Sequence, residues 1–304
     1  MIRLAILALA AISIPVIAQT PAPAKPPLLT WPDLTKRPKP APDATIDYGT
    51  DPMQKIDVWI PQGKGPFPVV LMVHGGCWTT RIADRSLMNW IADDLRNSGV
   101  AVWNIDYRGV DRAGGGYPGT FADAAKAADQ LAVNAKKFNL DTRHVVAIGH
   151  SAGGHLALWL AARPKLPATS PLRTANPLRI DHVISLGGLP DLEATAASPE
   201  NGCGVEVVAQ LIGQPTPQHP DVYADTSVPR LLPLGMKQDL INGREDRIIP
   251  TAMATDYIAR AKAAGDTATL HTIPATGHVE LIAPETAAWA EAKRLILADL
   301  RKTK

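Results

Sequence analysis

The sequence predicts an α/β fold with a mostly parallel, doubly wound sheet that is covered by helices on both faces. Three observations predict it. From about residue 44 onwards, runs of strand length alternate with runs of helical length. The strand-like runs at 69–73 and 145–148 are apolar throughout, as in strands that are buried on both sides. Glycine-rich or polar stretches follow several of them directly, so we expect the functional side chains at the carboxyl ends of strands.

The first half of the chain supplies two kinds of strand. Residues 45–48 and 55–60 predict a leading antiparallel pair, and Pro61 ends the second strand because proline cannot donate a ladder hydrogen bond. Residues 69–73 are a continuous apolar run and predict a buried strand, and residues 100–105 predict the next strand. The stretch between them, 86–97, has helical periodicity and stops before Gly99.

The second half continues the alternation. Residues 121–138 are rich in alanine and lysine and predict a helix that leads into a strand at 145–148. The other predicted elements are a helix at 152–162, a strand at 182–186, an irregular stretch to Leu234, a strand at 237–241, a helix at 251–264, a strand at 267–273 and a closing helix from about residue 284.

Composition limits the class of protein. With 304 residues and 46% hydrophobic content, the chain can bury a large core. The formal net charge is only +2 and no long basic run is present, which argues against nucleic acid as a partner, because phosphate binding needs clustered Lys or Arg.

The N-terminal region predicts export. Residues 1–18 combine Arg3, an apolar run too short to span a membrane comfortably, and a small-residue cleavage site at Ala18, which is typical of a signal peptide. We expect periplasmic or secreted protein with no stable membrane span after cleavage; an uncleaved anchor is the alternative, disfavoured by Pro15. Residues 19–43 are proline-rich and predict an extended arm without helix. Whether Trp31 in this arm packs on the domain is left open.

A serine motif marks the centre of the domain at residues 44–304. Residues 145–154 read as a buried strand followed by Gly-x-Ser-x-Gly, with Ser151 at its apex. This spacing is typical of a sharp strand-to-helix turn that exposes a nucleophilic oxygen above the sheet. A glycine-rich turn without catalytic function would give the same pattern, so the catalytic interpretation depends on whether the sequence also supplies partners for the serine.

Those partners follow two later strands. A serine hydroxyl needs a base to accept its proton and a third group to hold the base in the right tautomer. Asp246 follows the strand at 237–241, and His278 follows the strand at 267–273. Glu245 is the rival for the acid, whereas Asp239 lies too early, inside its strand.

The order Ser, Asp, His resembles the α/β-hydrolase superfamily from about residue 45 to the end. The loop His74-Gly75-Gly76-Cys77-Trp78 is similar to that of small esterases and kynurenine formamidase-like hydrolases of the BD-FAE type. The resemblance implies Ser151 as nucleophile, His278 as general base and then acid, and Asp246 as the orienting carboxylate. It also implies oxyanion-hole donors and a cap over the site at about 189–234. The implied donors are the backbone N–H groups of Gly76, Cys77 and Ala152.

The remaining residues near these strand ends carry weaker expectations. Trp78 and Tyr107 are candidates for the substrate pocket, and Asp106 with Arg108 for a structural ion pair or hydrogen-bonding corner. Cys203 falls in the implied cap, and the only two cysteines allow one disulfide, Cys77 to Cys203, with two unpaired buried thiols as the alternative.

Cofactor and metal sites are not expected. Residues 114–119 contain Gly-x-Gly-x-x-Gly, but the motif does not follow a strand directly, as dinucleotide binding requires. His150 and His155 lack a third ligand at zinc-site spacing. We therefore expect an exported serine hydrolase that cleaves a small-molecule carboxylic ester through an acyl-enzyme. An arylformamidase-like amide hydrolase, a peptidase and a non-catalytic member of the fold are the alternatives. The sequence does not specify the substrate or the oligomeric state.

Overall fold

A computed structural model describes residues 27–301; the predicted signal peptide lies outside the described residues. Eight strands form one sheet: β1 (Ala44–Asp47), β2 (Lys55–Trp59), β3 (Phe67–Val73), β4 (Ala101–Ile105), β5 (Leu140–His150), β6 (His182–Leu186), β7 (Lys237–Gly243) and β8 (Ala268–Ile273). The α-helices are α1 (Trp31–Thr35), α2 (Asn89–Asn97), α3 (Gly119–Asn134), α4 (Ala152–Ala162), α5 (Leu192–Ala197), α6 (Val205–Ile212), α7 (Thr251–Ala263) and α8 (Ala287–Leu300). Short 3₁₀ turns occupy Arg85–Met88, Arg163–Lys165, Val228–Leu231 and Glu280–Ile282.

The sheet is parallel except at one edge. Its strand order is β1-β2-β4-β3-β5-β6-β7-β8, and only the pairs β1/β2 and β2/β4 are antiparallel. The predicted doubly wound sheet and its leading antiparallel pair are confirmed. Strand β5, which carries the serine motif, lies between β3 and β6. The ends of these three strands therefore meet at one place.

Two hydrophobic cores cover the two faces of the sheet. Along β3, Leu71 and Val73 belong to one core and Val70 and Met72 to the other, as the two-residue period of a strand requires. Helices α3, α4 and α7 pack on the first face, and α2 and α8 on the second. Each fully buried aliphatic side chain stabilises the fold by about 1.5–3 kcal/mol. Because this gain favours apolar residues in the interior of the sheet, continuous apolar strands can be predicted from the sequence.

The arm differs from its prediction. Residues 31–35 form the short helix α1 despite the prolines, because Thr30 and Asp33 make a capping box and Pro32 stands in the first turn, where no intrahelical N–H is needed. Leu34 is fully buried in the second core. The arm is thus part of the domain from here on.

The region at 189–234 is also more regular than expected, since it contains α5, α6 and a 3₁₀ turn. Helix α3 ends at Asn134, four residues earlier than predicted, and the chain reverses through Asn139, whose φ is +54°. Among residues 27–301, no helix is long and apolar enough to cross a membrane.

Candidate active site

The serine motif forms a tight turn between β5 and α4. Ser151 has φ +54° and ψ −123°, a conformation that L residues rarely adopt, and its N–H donates to Leu186 O at 2.8 Å. The flanking glycines are required by close approach. A Cβ on Gly149 would lie 2.0 Å from Gly153 O, and one on Gly153 would lie 2.2 Å from Val73 O. The turn therefore needs both glycines to hold the serine at its apex.

A histidine and an aspartate lie beside this turn. Nδ1 of His278 is 2.7 Å from Oδ2 of Asp246. The other carboxylate oxygen of Asp246 accepts N–H groups from Ile248 at 2.8 Å and Ile249 at 3.0 Å. The Asp246 side chain is fully buried. It is thus fixed by its own loop and leaves one oxygen for the imidazole.

The rival acids have other partners. Glu245 accepts the backbone N–H of Thr276, and its own N–H donates to Thr276 O, so it joins two loops rather than orienting the imidazole. Asp239 lies inside β7 and is bonded to His182 and His271. The pairing with His278 therefore distinguishes Asp246.

The loop after β3 passes directly against the serine. A Cβ on Gly75 would lie 3.0 Å from the Ser151 Cβ. Gly76, Cys77 and Trp78 follow with φ of +105°, +51° and +50°. This conformation costs little for Gly76 but is costly for Cys77 and Trp78, and such strain clusters at active sites. The loop that carries the predicted donors Gly76 and Cys77 therefore passes directly beside the serine.

Ala152 is the third predicted donor. It is the first residue of α4, and the N–H groups of the first turn of a helix have no acceptor within the helix. The helix dipole also favours negative charge at this end. Ala152 is fully buried. Gly76 and Cys77 line the same cavity as Ser151, and Ala152 follows Ser151 directly in the chain.

The structure joins Cys77 to Cys203, with a Cα–Cα distance of 5.2 Å. The structure therefore contains the predicted disulfide and not the alternative of two free thiols. Cys203 belongs to the cap region, and the adjoining Gly202 donates its N–H to Ile248 O at 2.8 Å. The cap region is thereby linked by the disulfide to the loop at 74–78, here called the oxyanion loop after its predicted role, and by the hydrogen bond to the loop of Asp246.

His74 has a structural position. Its Nε2 is 2.9 Å from Asp106 Oδ1, and its ring stacks on Tyr107 at 4.4 Å. Asp106 also accepts from Arg85. The sequence paired Asp106 with Arg108, but this needs correction, because Arg108 is bound by Asp123 at 2.7 Å in α3. Asp106 instead anchors the start of the oxyanion loop.

Two buried histidines flank the site. Burial lowers the pKa of His150 well below its ordinary value, and it lowers the pKa of His155 to about 4. The Nε2 of His150 lies 3.2 Å from the carbonyl oxygen of His278, so a neutral His150 with its proton on Nε2 donates to that carbonyl. His150 thus supports the loop of the catalytic candidate. No cluster of three or more potential metal ligands was found in residues 27–301.

An apolar cavity of about 310 Å³ opens above Ser151 and His278. Its other lining residues are Trp31, Thr35, Gly76, Cys77, Ile82, Ala83, Leu87, His150, Gly202 and Ile248. The prediction for Trp78 and Tyr107 needs correction, because both are buried in the first core. Trp78 packs edge-on to His155, and Tyr107 donates its hydroxyl to His74 O at 3.0 Å.

The aromatic residue at the cavity is Trp31, which the sequence did not assign to the site. Its ring lies edge-on to both His150 and His278, each at 6.2 Å between centroids. The capping-box pattern around Thr30 and Asp33 was a readable sign of a folded turn. Nothing local, however, indicated where that turn would dock.

The chain is similar to known proteins in sequence and in fold. The model of the BD-FAE family matches residues 56–259. Esterase LipC of Mycobacterium tuberculosis is 28% identical over 222 residues, which are 71% of this chain and 54% of LipC. Versiconal hemiacetal acetate esterase of Dothistroma septosporum is 35% identical over 104 residues, which are 34% of this chain and 30% of that protein. The chain thus spans about half of the length of LipC and about a third of the length of the Dothistroma septosporum esterase.

Solved structures share the fold. A truncated carbohydrate esterase from gut microbiota superposes with a TM-score of 0.71 at 20% identity, over 86% of this chain and 98% of that one. Esterase B from Lactobacillus rhamnosis gives 0.68 at 19% identity, over 88% and 89%. At these identities the likeness establishes the α/β-hydrolase fold and leaves the reaction to the chemistry of the site.

Proposed function

This chain belongs to the BD-FAE family, and we propose that it is a serine hydrolase that cleaves a carboxylic ester through an acyl-enzyme. The observation that carries the proposal is the convergence of Ser151, the His278–Asp246 pair and the oxyanion loop on one cavity. The names of the relatives, esterases in each case, support the choice of an ester.

The first half of the reaction forms the acyl-enzyme. Ser151 Oγ attacks the ester carbonyl carbon while His278 Nε2 accepts the hydroxyl proton. Asp246 holds the proton of the imidazole on Nδ1, which leaves Nε2 free as the base, and stabilises the imidazolium that forms. His278 then returns the proton to the alkoxide oxygen as the C–O bond breaks and the alcohol leaves.

The second half releases the acid. Water takes the place of the alcohol, gives a proton to His278 Nε2 and attacks the acyl carbon, after which the proton returns to Ser151 Oγ. Both halves pass through a tetrahedral oxyanion. N–H groups of Gly76, Cys77 and Ala152 would stabilise it, and the loss of one such donor typically costs about 3–4 kcal/mol of barrier.

We also propose that the protein acts after export. The sequence of residues 1–18 supports this, and so does the disulfide, since such bonds persist in oxidising compartments. Fractionation of producing cells, with the N-terminus of the mature protein read by mass spectrometry, tests export; a cytoplasmic protein with an intact N-terminus would contradict it.

The test of the reaction is turnover of short-chain p-nitrophenyl esters by the wild type and by Ser151→Ala, with fluorophosphonate labelling of the serine. We expect labelling and turnover in the wild type and neither in the variant. An N-formyl aromatic amide, compared at equal concentration, distinguishes an ester from a formamide preference. A wild type that neither turns over esters nor reacts with the fluorophosphonate would refute the proposal.

A further inference from the structure

Residues 28–37, here called the N-terminal strap, are fixed to the domain at three points, the first of them beside the active site. The N–H of Leu29 donates to the Glu280 carboxylate, which also accepts the N–H of Gly277, the neighbour of the proposed base. Leu34 is fully buried in the second core. Arg37 forms an ion pair with Glu285. The strap is therefore a wall of the site rather than a loose tail.

Trp31 stands between two cavities. The first is the 310 Å³ cavity above Ser151, and the second, of about 510 Å³, lies between the strap and the loops of Asp246 and His278. Only three residues line both: Trp31, Ile248 and His278. His278 is needed for the proposed reaction, and Ile248 donates its N–H to Asp246. The indole of Trp31 meets the His278 ring at its edge, so it forms part of this partition but supplies no group to the proposed chemistry.

The first cavity has a composition and a size that restrict its occupant. It is lined by no Asp, Glu, Lys or Arg, so a charged group would lose its hydration there without a partner. Its volume of about 310 Å³ lies at the lower end of the roughly 300–1,000 Å³ that is typical of ligand sites. A volume at this end of the range favours an ester with a short uncharged substituent.

We propose that Trp31 is a specificity-determining residue that restricts the enzyme to compact, uncharged esters by closing the first cavity against the second. The inference rests on the proposed ester hydrolysis and names its substrate class. Family membership does not supply it, because the family match begins at residue 56, beyond the strap. Replacing the indole with a small side chain would join the two cavities and admit a longer apolar chain.

The test compares the wild type, Trp31→Ala and Trp31→Phe in two homologous series. One series varies the acyl chain of p-nitrophenyl esters from acetyl to decanoyl, and the other varies the alcohol of acetate esters over the same lengths. Lys36→Ala is the matched control, since Lys36 is exposed, belongs to the same strap and lines neither cavity. Fluorophosphonate titration gives the concentration of reactive Ser151 in each preparation.

We expect the wild type and Lys36→Ala to prefer short chains. Trp31→Ala should raise the ratio of kcat/KM for long over short chains by about tenfold or more in one of the series, since even one methylene in a hydrophobic pocket changes kcat/KM by about 10-fold. Trp31→Phe should give a smaller shift. An active wild type whose ratio is unchanged in both series by either Trp31 variant would overturn the role of Trp31 and leave the ester hydrolysis intact. A wild type without turnover or labelling would overturn both.

Discussion

Replacing Cys203 with alanine removes the disulfide to Cys77, and we expect this single change to lower both stability and turnover. The bridge joins residues 126 positions apart. In the chain-entropy account, closing a loop of that length stabilises the fold by about 5 kcal/mol, and measured values for native disulfides are about 2–5 kcal/mol. For a domain of this size, we expect the melting temperature to fall by about 4–10 °C.

The effect on turnover comes from the other end of the bridge. Cys77 lies in the strained loop with φ +51° and lines the cavity above Ser151. Without the bridge, its N–H remains but is held less firmly. We expect kcat to fall by about tenfold, less than the roughly 100- to 1000-fold that follows the complete loss of an oxyanion donor. KM should change less, because the apolar wall of the cavity is intact.

The assays are thermal unfolding followed by circular dichroism and initial rates on a short-chain ester. Cys77→Ala/Cys203→Ala is the matched control: if the bridge is the whole effect, the double variant should be as unstable as the single one. Reduction of the wild type should reproduce the loss. Cys203→Ala with unchanged melting temperature and unchanged kcat would refute the reasoning, as would exported wild type with two free thiols.

The other predictions concern the proposed base and its surroundings. Asp246→Asn should lower kcat by up to about 10⁴-fold, because the amide no longer fixes the tautomer of His278, whereas Glu245→Gln should cost far less; the reverse ranking in ester kinetics would reassign the acid. Burial lowers the pKa of His155 to about 4, so the unfolded chain takes up its proton first and stability should fall as the pH drops from about 6.5 towards 4. His155→Gln should make that dependence less steep in urea unfolding at a series of pH values, and an unchanged slope would contradict the assignment. Glu280→Ala leaves two backbone N–H groups without their acceptor, at about 1–3 kcal/mol each when buried, and should lower kcat and the melting temperature together. Glu280→Gln keeps one oxygen and should recover part of both; a loss as large as that of alanine would contradict this account.

The sheet and the proposed triad were predictable because their signals are local. A continuous apolar strand can be recognised from its own residues. The carboxyl ends of parallel strands lie at the same edge of the sheet, independently of the conformation of the loops. Ser151, Asp246 and His278 each follow a parallel strand, so the predicted order of strands was enough to expect them together. The choice of Asp246 over Glu245 rested on the resemblance to the superfamily, and the 2.7 Å contact between Asp246 and His278 is consistent with that choice.

The pocket was less predictable, since the direction in which a side chain points after a strand depends on packing elsewhere. Trp78 and Tyr107 both follow strand ends, but one turns towards His155 and the other stacks on His74. Each is held by neighbours that are distant in sequence. Trp31, in a segment that composition alone describes as extended, reaches the site because Leu34 finds a place in the core.

The family match covers only part of the site. Residues 56–259 contain Ser151 and Asp246, whereas the proposed base His278 and the wall residue Trp31 lie outside them on opposite sides. Glu280 connects these two flanks, because one of its oxygens accepts an N–H from the strap and the other an N–H from the loop of His278. A change in the strap is therefore transmitted to the position of the base as well as to the volume of the pocket. Strap variants that disturb the Glu280 contact should alter kcat for every substrate, whereas variants of Trp31 alone should alter mainly the choice among substrates.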